Sequence, residues 1–272
     1  MKSARYFENS RMTRKALAAY ARFANGRGEK AWSIAQSKLK LYRDALIAFA
    51  GTANDGTKRA SHEKIFGQLR SSWGLGRNGT ELWQAAIVFD VLTNHCHPCS
   101  RSSRLTLATL EDEPDQKVVL GCLKSMRGLK KLRSGNYPVM AVSKNLHFFN
   151  PRLFVIYDND VILGRVYRVF KEDWIACYRR FRPTADEWLN FYVAYLLWAS
   201  HMVRKSHERL MEDFADWFIQ TVSDEADAQD FRNELRLSYA TAFEFIVIGA
   251  AQLESTCVPR PCTWIYKKSR KK

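Results

Sequence analysis

SKNLHFFNPRLFVIYDNDV, residues 143–161, sets Lys144 and the carboxylates Asp158 and Asp160 inside an otherwise apolar and aromatic stretch. Burying ionisable groups among such neighbours costs several kcal/mol unless they are paired or used, so their clustering demands an account. Just upstream, Pro138 suits the first turn of a helix, where its missing N–H is not needed, and the helix predicted from it runs to about Asn150. Pro151 stops it. Residues 153–157 then read as a short extended connector, and Asp158 to Asp160 precede a further helix candidate, VILGRVYRVF.

Helical spacing of apolar residues recurs in both directions from this segment. Residues 29–50 bring Trp32, Leu39, Tyr42, Leu46 and Phe49 near one face. A polar break at 51–61 is followed by a helical pattern over 62–73, which the glycines of 74–79 end. Thr80 and Glu81 open ELWQAAIVFDVLTNH, which reads as a buried helix. A loop at 95–104 and an acidic turn at 111–115 lead into helical spacing over 117–132. In the C-terminal third, residues 186–222 carry Trp188, Phe191, Tyr195 and Met202 on one face, and residues 231–253 end in FEFIVIGAA, a stretch for other helices to pack against. No repeat of fixed period and no sustained strand alternation occurs, so the predicted class is all-α. The basic tail 267–272 reads as a solvated end.

A hydrophobic content of 46% over 272 residues is enough to bury a core, which argues against disorder. The formal charge of +15 and a pI near 9.7 call for a polyanionic partner, nucleic acid ahead of an anionic membrane surface. No apolar run spans a membrane and the first residues lack a signal core, so a cytoplasmic protein is expected. The six cysteines do not read as a disulfide framework. His95-Cys96-His97-Pro98-Cys99 resembles half a zinc site, but the spacing of Cys257 and Cys262 does not complete it, so no metal is expected. Gly74-Leu75-Gly76 follows a helix rather than a strand, which argues against a nucleotide cofactor, and none is expected.

Asp158 follows Lys144 by fourteen positions, across the break at Pro151, so a helix, a connector and a second helix can bring the two side chains to one cleft. Such a pair suits cleavage of an N-glycosidic bond. A carboxylate stabilises the oxocarbenium-like sugar or orients water, and a lysine works electrostatically or attacks the sugar carbon to form a Schiff base. A plainer reading stands beside it: Asp158 or Asp160 caps the helix that starts at Val161, and Lys144 reaches solvent. The two are compatible, since one carboxylate oxygen can cap while the other faces the cleft.

The turn, the lysine-bearing helix, Val155-Ile156-Tyr157-Asp158 and the following Val-rich helix resemble the core of the helix-hairpin-helix DNA glycosylases, above all the oxidised-guanine branch. The resemblance covers residues 128–170, although Gly135-Asn136-Tyr137-Pro138-Val139 holds one glycine where that hairpin normally carries several. It implies Asp158 as the catalytic carboxylate, with Asp160 beside it, and Lys144 as the candidate Schiff-base residue. Lys124, Arg127, Lys130, Lys131, Arg133, Arg152, Arg165 and Arg168 flank this centre and would neutralise phosphates on either side of an extruded nucleotide. Phe148, Tyr157 and His147 are the candidates for a base pocket, against the alternative that all three belong to the core.

The expectation is therefore a single compact unit of two helical lobes, a cofactor-free monomeric glycosylase acting on double-stranded DNA with an extruded base. An oxidised purine is the substrate the resemblance favours. A bulky modified base, such as those viruses place in their DNA, would suit a divergent member acting in defence. The rival expectation is a helical nucleic-acid-binding module without chemistry.

Overall fold

The computed structural model describes residues 1–24, 41–44, 55–72, 85–94, 105–110, 113–126, 139–178, 187–204, 206–222 and 228–255. Among these residues the protein is helical with no strand, as the apolar spacing predicts. The helices are α1 (Arg5–Glu8), α2 (Ser10–Ala24), α3 (Asp55–Ser72), α4 (Ala85–Asn94), α5 (Glu113–Ser125) and α6 (Val139–Phe149). A π-helix, π1 (Asn159–Tyr167), runs into α7 (Arg168–Tyr178), followed by α8 (Glu187–Arg204), α9 (His207–Val222), α10 (Ala228–Leu237) and α11 (Tyr239–Ser255).

Helix α11 is the central element. Every residue from Ala240 to Ala251 is buried, and α1, α2, π1, α7, α8 and α9 all pack against it. Its tightest neighbour is α2, which crosses so closely that a Cβ at Gly249 would sink into the carbonyl of Ala16. Glycine removes that obstacle and lets the two backbones meet. Helix α2 is suited to the role: Ala16, Leu17, Ala19 and Tyr20 face inward, Arg11, Arg14, Lys15 and Ala18 face outward, and Asn9 caps it by accepting the Met12 N–H at 3.2 Å. On another side, α3 packs on α4 and α6, and α6 on α8.

Several boundaries differ from the sequence expectation. Helix α3 begins at Asp55, inside the expected polar break, because Arg59, Ala60 and Ser61 are surface positions that a helix accommodates without apolar residues. Helix α5 begins at Glu113, within the expected acidic turn; Pro114 is tolerated in a first turn, where no N–H is required. The pattern over 186–222 divides into α8 and α9, with Ser206 accepting the Leu210 N–H through its carbonyl at 2.9 Å. Cys122, expected as a free thiol, is joined in a disulfide whose partner lies outside the described residues, whereas buried Cys177 is free. The zinc half-site candidates Cys96, Cys99, Cys257 and Cys262 also lie outside them. No helix among the described residues is long and apolar enough to cross a membrane.

Candidate active site

Helix α6 is buried along almost its whole length, from Val139 to Phe148, and Lys144 is buried with it. The helix closes at Pro151 as expected, and a turn feeds the extended segment 154–157. The turn is pinned from two directions: Leu107 donates its N–H to the Arg152 carbonyl at 2.8 Å, and Ala240, at the start of α11, donates to the Pro151 carbonyl at 3.0 Å.

Leu153, Phe154, Val155, Ile156 and Tyr157 are all buried, an unusual place for non-helical backbone, whose polar groups must then find partners. Side chains supply them. His147 holds the Phe154 carbonyl through Nδ1 at 2.6 Å, and the Tyr192 hydroxyl donates to the Val155 carbonyl at 2.9 Å. Glu244 accepts the Ile156 N–H, and Ser143 Oγ accepts the Tyr157 N–H at 2.9 Å. Three helices thus fix the path of the chain into Asp158.

At the end of that path Asp158 divides its two oxygens. Oδ1 accepts the Val161 N–H at 3.0 Å, capping the next helix, while Oδ2 stands 3.5 Å from Lys144 Nζ. The lysine side chain is 5% exposed and the aspartate 25%, so the pair sits at the boundary of the core with its carboxylate outermost. One oxygen thus caps the helix, as the plainer reading expects, and the other meets Lys144. Lys144, by contrast, does not reach solvent as the plainer reading had it.

The helix that Asp158 caps is not the α-helix the sequence suggests. The Asp158 carbonyl accepts N–H groups from both Ile162 and Leu163 at 3.0 Å, the second of these bonds setting the π register that lasts to Tyr167. Chain geometry relaxes downstream through non-helical Phe170 (φ −117°, ψ 28°) in α7. π-Helical turns are uncommon and concentrate at functional sites. Side-chain spacing alone gives no warning of one; the helix packs against α7 and α11.

Behind the pair lies a carboxyl that the sequence reading did not single out. Glu244 of α11 is 3% exposed; besides the Ile156 N–H it accepts the Tyr42 hydroxyl at 3.3 Å, and Oε1 lies 3.4 Å from His147 Nδ1. Burial pushes its acid up to about 8; the Ile156 and Tyr42 hydrogen bonds pull the other way, nearby Asp158 adds to the rise and Lys144 opposes it. Burial lowers His147 to about 3, against the smaller opposing effect of its Phe154 hydrogen bond. The ring is therefore neutral, Nδ1 carries the proton donated to Phe154, and Nε2 faces the Thr241 hydroxyl at 3.4 Å. The signal for Glu244 was present in FEFIVIGAA: it is the one charged residue in that run.

The remaining predicted residues are distributed as follows. Asp160 lies in the first turn of π1, with its side chain outside the described residues. Lys124, Arg165 and Arg168 are exposed, with Arg165 stacked 4.9 Å from the Phe23 ring centroid. Arg152 pairs with Glu234 at 3.1 Å, which offsets its charge. Arg127, Lys130, Lys131 and Arg133 lie outside the described residues. Phe148, Tyr157 and His147, read as base-pocket candidates, are 2%, 1% and 0% exposed. The structure places them in the core instead: Phe148 and His147 pack on Tyr42, and Tyr157 packs on Tyr192. Core packing accounts for all three without a base.

A surface hollow of about 570 Å³ lies on α2, lined by Ser10, Arg11, Arg14, Lys15 and Ala18; its basic rim includes neither Lys144 nor Asp158. Among the described residues, no group of three or more His, Cys, Asp or Glu side chains is placed to hold a metal ion. Comparisons of the chain with family models, with curated proteins and with solved structures return no match.

Proposed function

We propose that this protein is a DNA N-glycosylase that takes a damaged or modified base out of the duplex and cleaves its bond to the sugar, leaving an abasic site. The observation that carries the reading is the Lys144–Asp158 pair, a 3.5 Å contact with a partly exposed carboxylate at the mouth of a rigidly held segment. Loss of a base leaves positive charge on the sugar, and an anion fixed beside it lowers that barrier. Asp158 supplies the anion, and its Val161 hydrogen bond through Oδ1 orients the carboxylate whose other oxygen meets Lys144.

Lys144 stands 3.5 Å from that carboxylate, buried beside it, and is the candidate to attack the sugar carbon as a Schiff-base former. Exposed Lys124, Arg165 and Arg168 would meet the phosphates on either side. The helix-hairpin-helix resemblance favours an oxidised purine as substrate and allows a bulky modified base of viral DNA, which would make the role one of repair or of defence.

The test is incubation with DNA from modified and unmodified sources and with oxidised-guanine duplexes, followed by alkali. Wild type should generate alkali-labile sites that Asp158→Asn does not. A second reading draws on the same residues: the Asp158 cap and the Lys144 ion pair also suffice as structure, which would leave a helical module that binds nucleic acid and breaks no bond. DNA that is retarded by the protein yet keeps every sugar-base bond would select that reading.

A further inference from the structure

The Lys144–Asp158 pair has a third member. We propose that Glu244 is its positioning residue: while protonated it seats the connector through Ile156 and adds no charge beside the Lys144–Asp158 pair, and once ionised it competes with Asp158 for Lys144.

Geometry places Glu244 in this role. Its Oε1 holds the Ile156 N–H, two residues before Asp158, so the carboxyl acts on Asp158 through the backbone. Titratable groups face it from every side. They are Tyr20 of α2, Tyr42, Lys144 and His147 of α6, Asp158 at the head of π1, and Tyr195 of α8. Burial raises the pKa values of the three tyrosines beyond reach of ordinary conditions and keeps His147 neutral, so among the described residues Lys144 and Asp158 are the groups that bring charge to Glu244 near neutral pH. With the acid protonated, the cluster holds one cation and one anion. With the proton lost to solvent, it holds one cation and two anions, and the lysine is shared.

A structural carboxyl would serve as well if it were an amide, because Gln also accepts an N–H. A proton-holding carboxyl would not, which separates this role from plain packing. The inference rests on the glycosylase reading only for its effect on rate; the coupling itself is measurable without DNA.

The full-length protein is titrated from about pH 6 to about pH 10 by infrared difference spectroscopy, following the carbonyl stretch of a protonated carboxyl, in wild type, Glu244→Gln, Asp158→Asn and Lys144→Met. Wild type should lose one such band in this range, and Glu244→Gln should lack it. Asp158→Asn removes a negative neighbour and should lower the midpoint; Lys144→Met removes a positive one and should raise it. Should Lys144→Met fail to fold, Asp158→Asn decides alone, because asparagine preserves the cap.

Base release by wild type, measured over the same range, should change near the band's midpoint, and Glu244→Gln should flatten that profile. A band that persists in Glu244→Gln, or a midpoint that Asp158→Asn leaves unmoved, overturns the inference even if wild type releases bases. Shifted midpoints without base release from any DNA would overturn the glycosylase reading and leave the coupling standing.

Discussion

Replacing Glu244 with glutamine should remove a specific loss of stability between pH 6.5 and about pH 8.5. In the folded protein the Glu244 acid holds its proton to about 8, against a value of 4.5 for the exposed group. Its pKa is raised in the fold, so protonation favours the fold. That contribution is complete below pH 4.5 and is lost as pH rises through about 8. At about 1.4 kcal/mol per pH unit the whole loss is about 5 kcal/mol, of which about 2 kcal/mol falls above pH 6.5. Above pH 6.5 the difference between wild type and Glu244→Gln isolates Glu244. His147 and His62, lowered to about 3 and about 4 by burial, are neutral there in the fold, and the part-protonated imidazoles of the unfolded chain affect both proteins equally. Urea unfolding at the two pH values, with the slope against denaturant held constant, reads the difference directly. Wild type should lose about 2 kcal/mol more than Glu244→Gln over this window. Parallel losses in the two proteins would refute the assignment of the buried proton.

Asp158→Ala and Asp158→Asn both remove the anion beside buried Lys144, but only Asp158→Ala also deletes the cap on Val161, so it should be less stable than Asp158→Asn by about 1 kcal/mol; chemical denaturation of the two variants checks this. Gly249→Ala forces a methyl group against the Ala16 carbonyl and should destabilise by about 3 kcal/mol or more, visible as a lowered melting temperature or loss of soluble protein. DNA affinity should fall about 100-fold between about 50 and about 200 mM salt if about four phosphates are neutralised, and a flat salt response would remove the basic surface from the account. Lys144→Met should abolish any borohydride-trapped adduct with abasic DNA while leaving base release partly intact, read by gel shift under denaturing conditions.

The helical class was legible because burial on a helix leaves a period in the sequence, and α6, its stop at Pro151 and the extended connector follow that rule closely. The pairing of Lys144 with Asp158 was legible for a different reason: proline fixes where one helix ends, and charged residues inside an apolar run must meet something. Helix starts at Asp55 and Glu113 were not legible, because their first turns carry polar residues that also suit loops. Side-chain spacing gives no warning of the π register of Asn159–Tyr167. Glu244 lies 88 positions from Ile156, and nothing local announces that contact. Phe148, Tyr157 and His147 show the opposite error, since aromatic residues near a candidate centre invite a binding role that their complete burial removes.

Segment 154–157 owes its shape to four borrowed partners, His147, Tyr192, Glu244 and Ser143, drawn from three helices. Grafting these residues with Asp158 onto another helical scaffold would strand two carbonyls and two amides, at about 1–3 kcal/mol for each group left unsatisfied. The transplantable unit is therefore a scattered set of positions spanning most of the chain, and a peptide copied from this stretch by itself would carry the letters of the motif without its conformation.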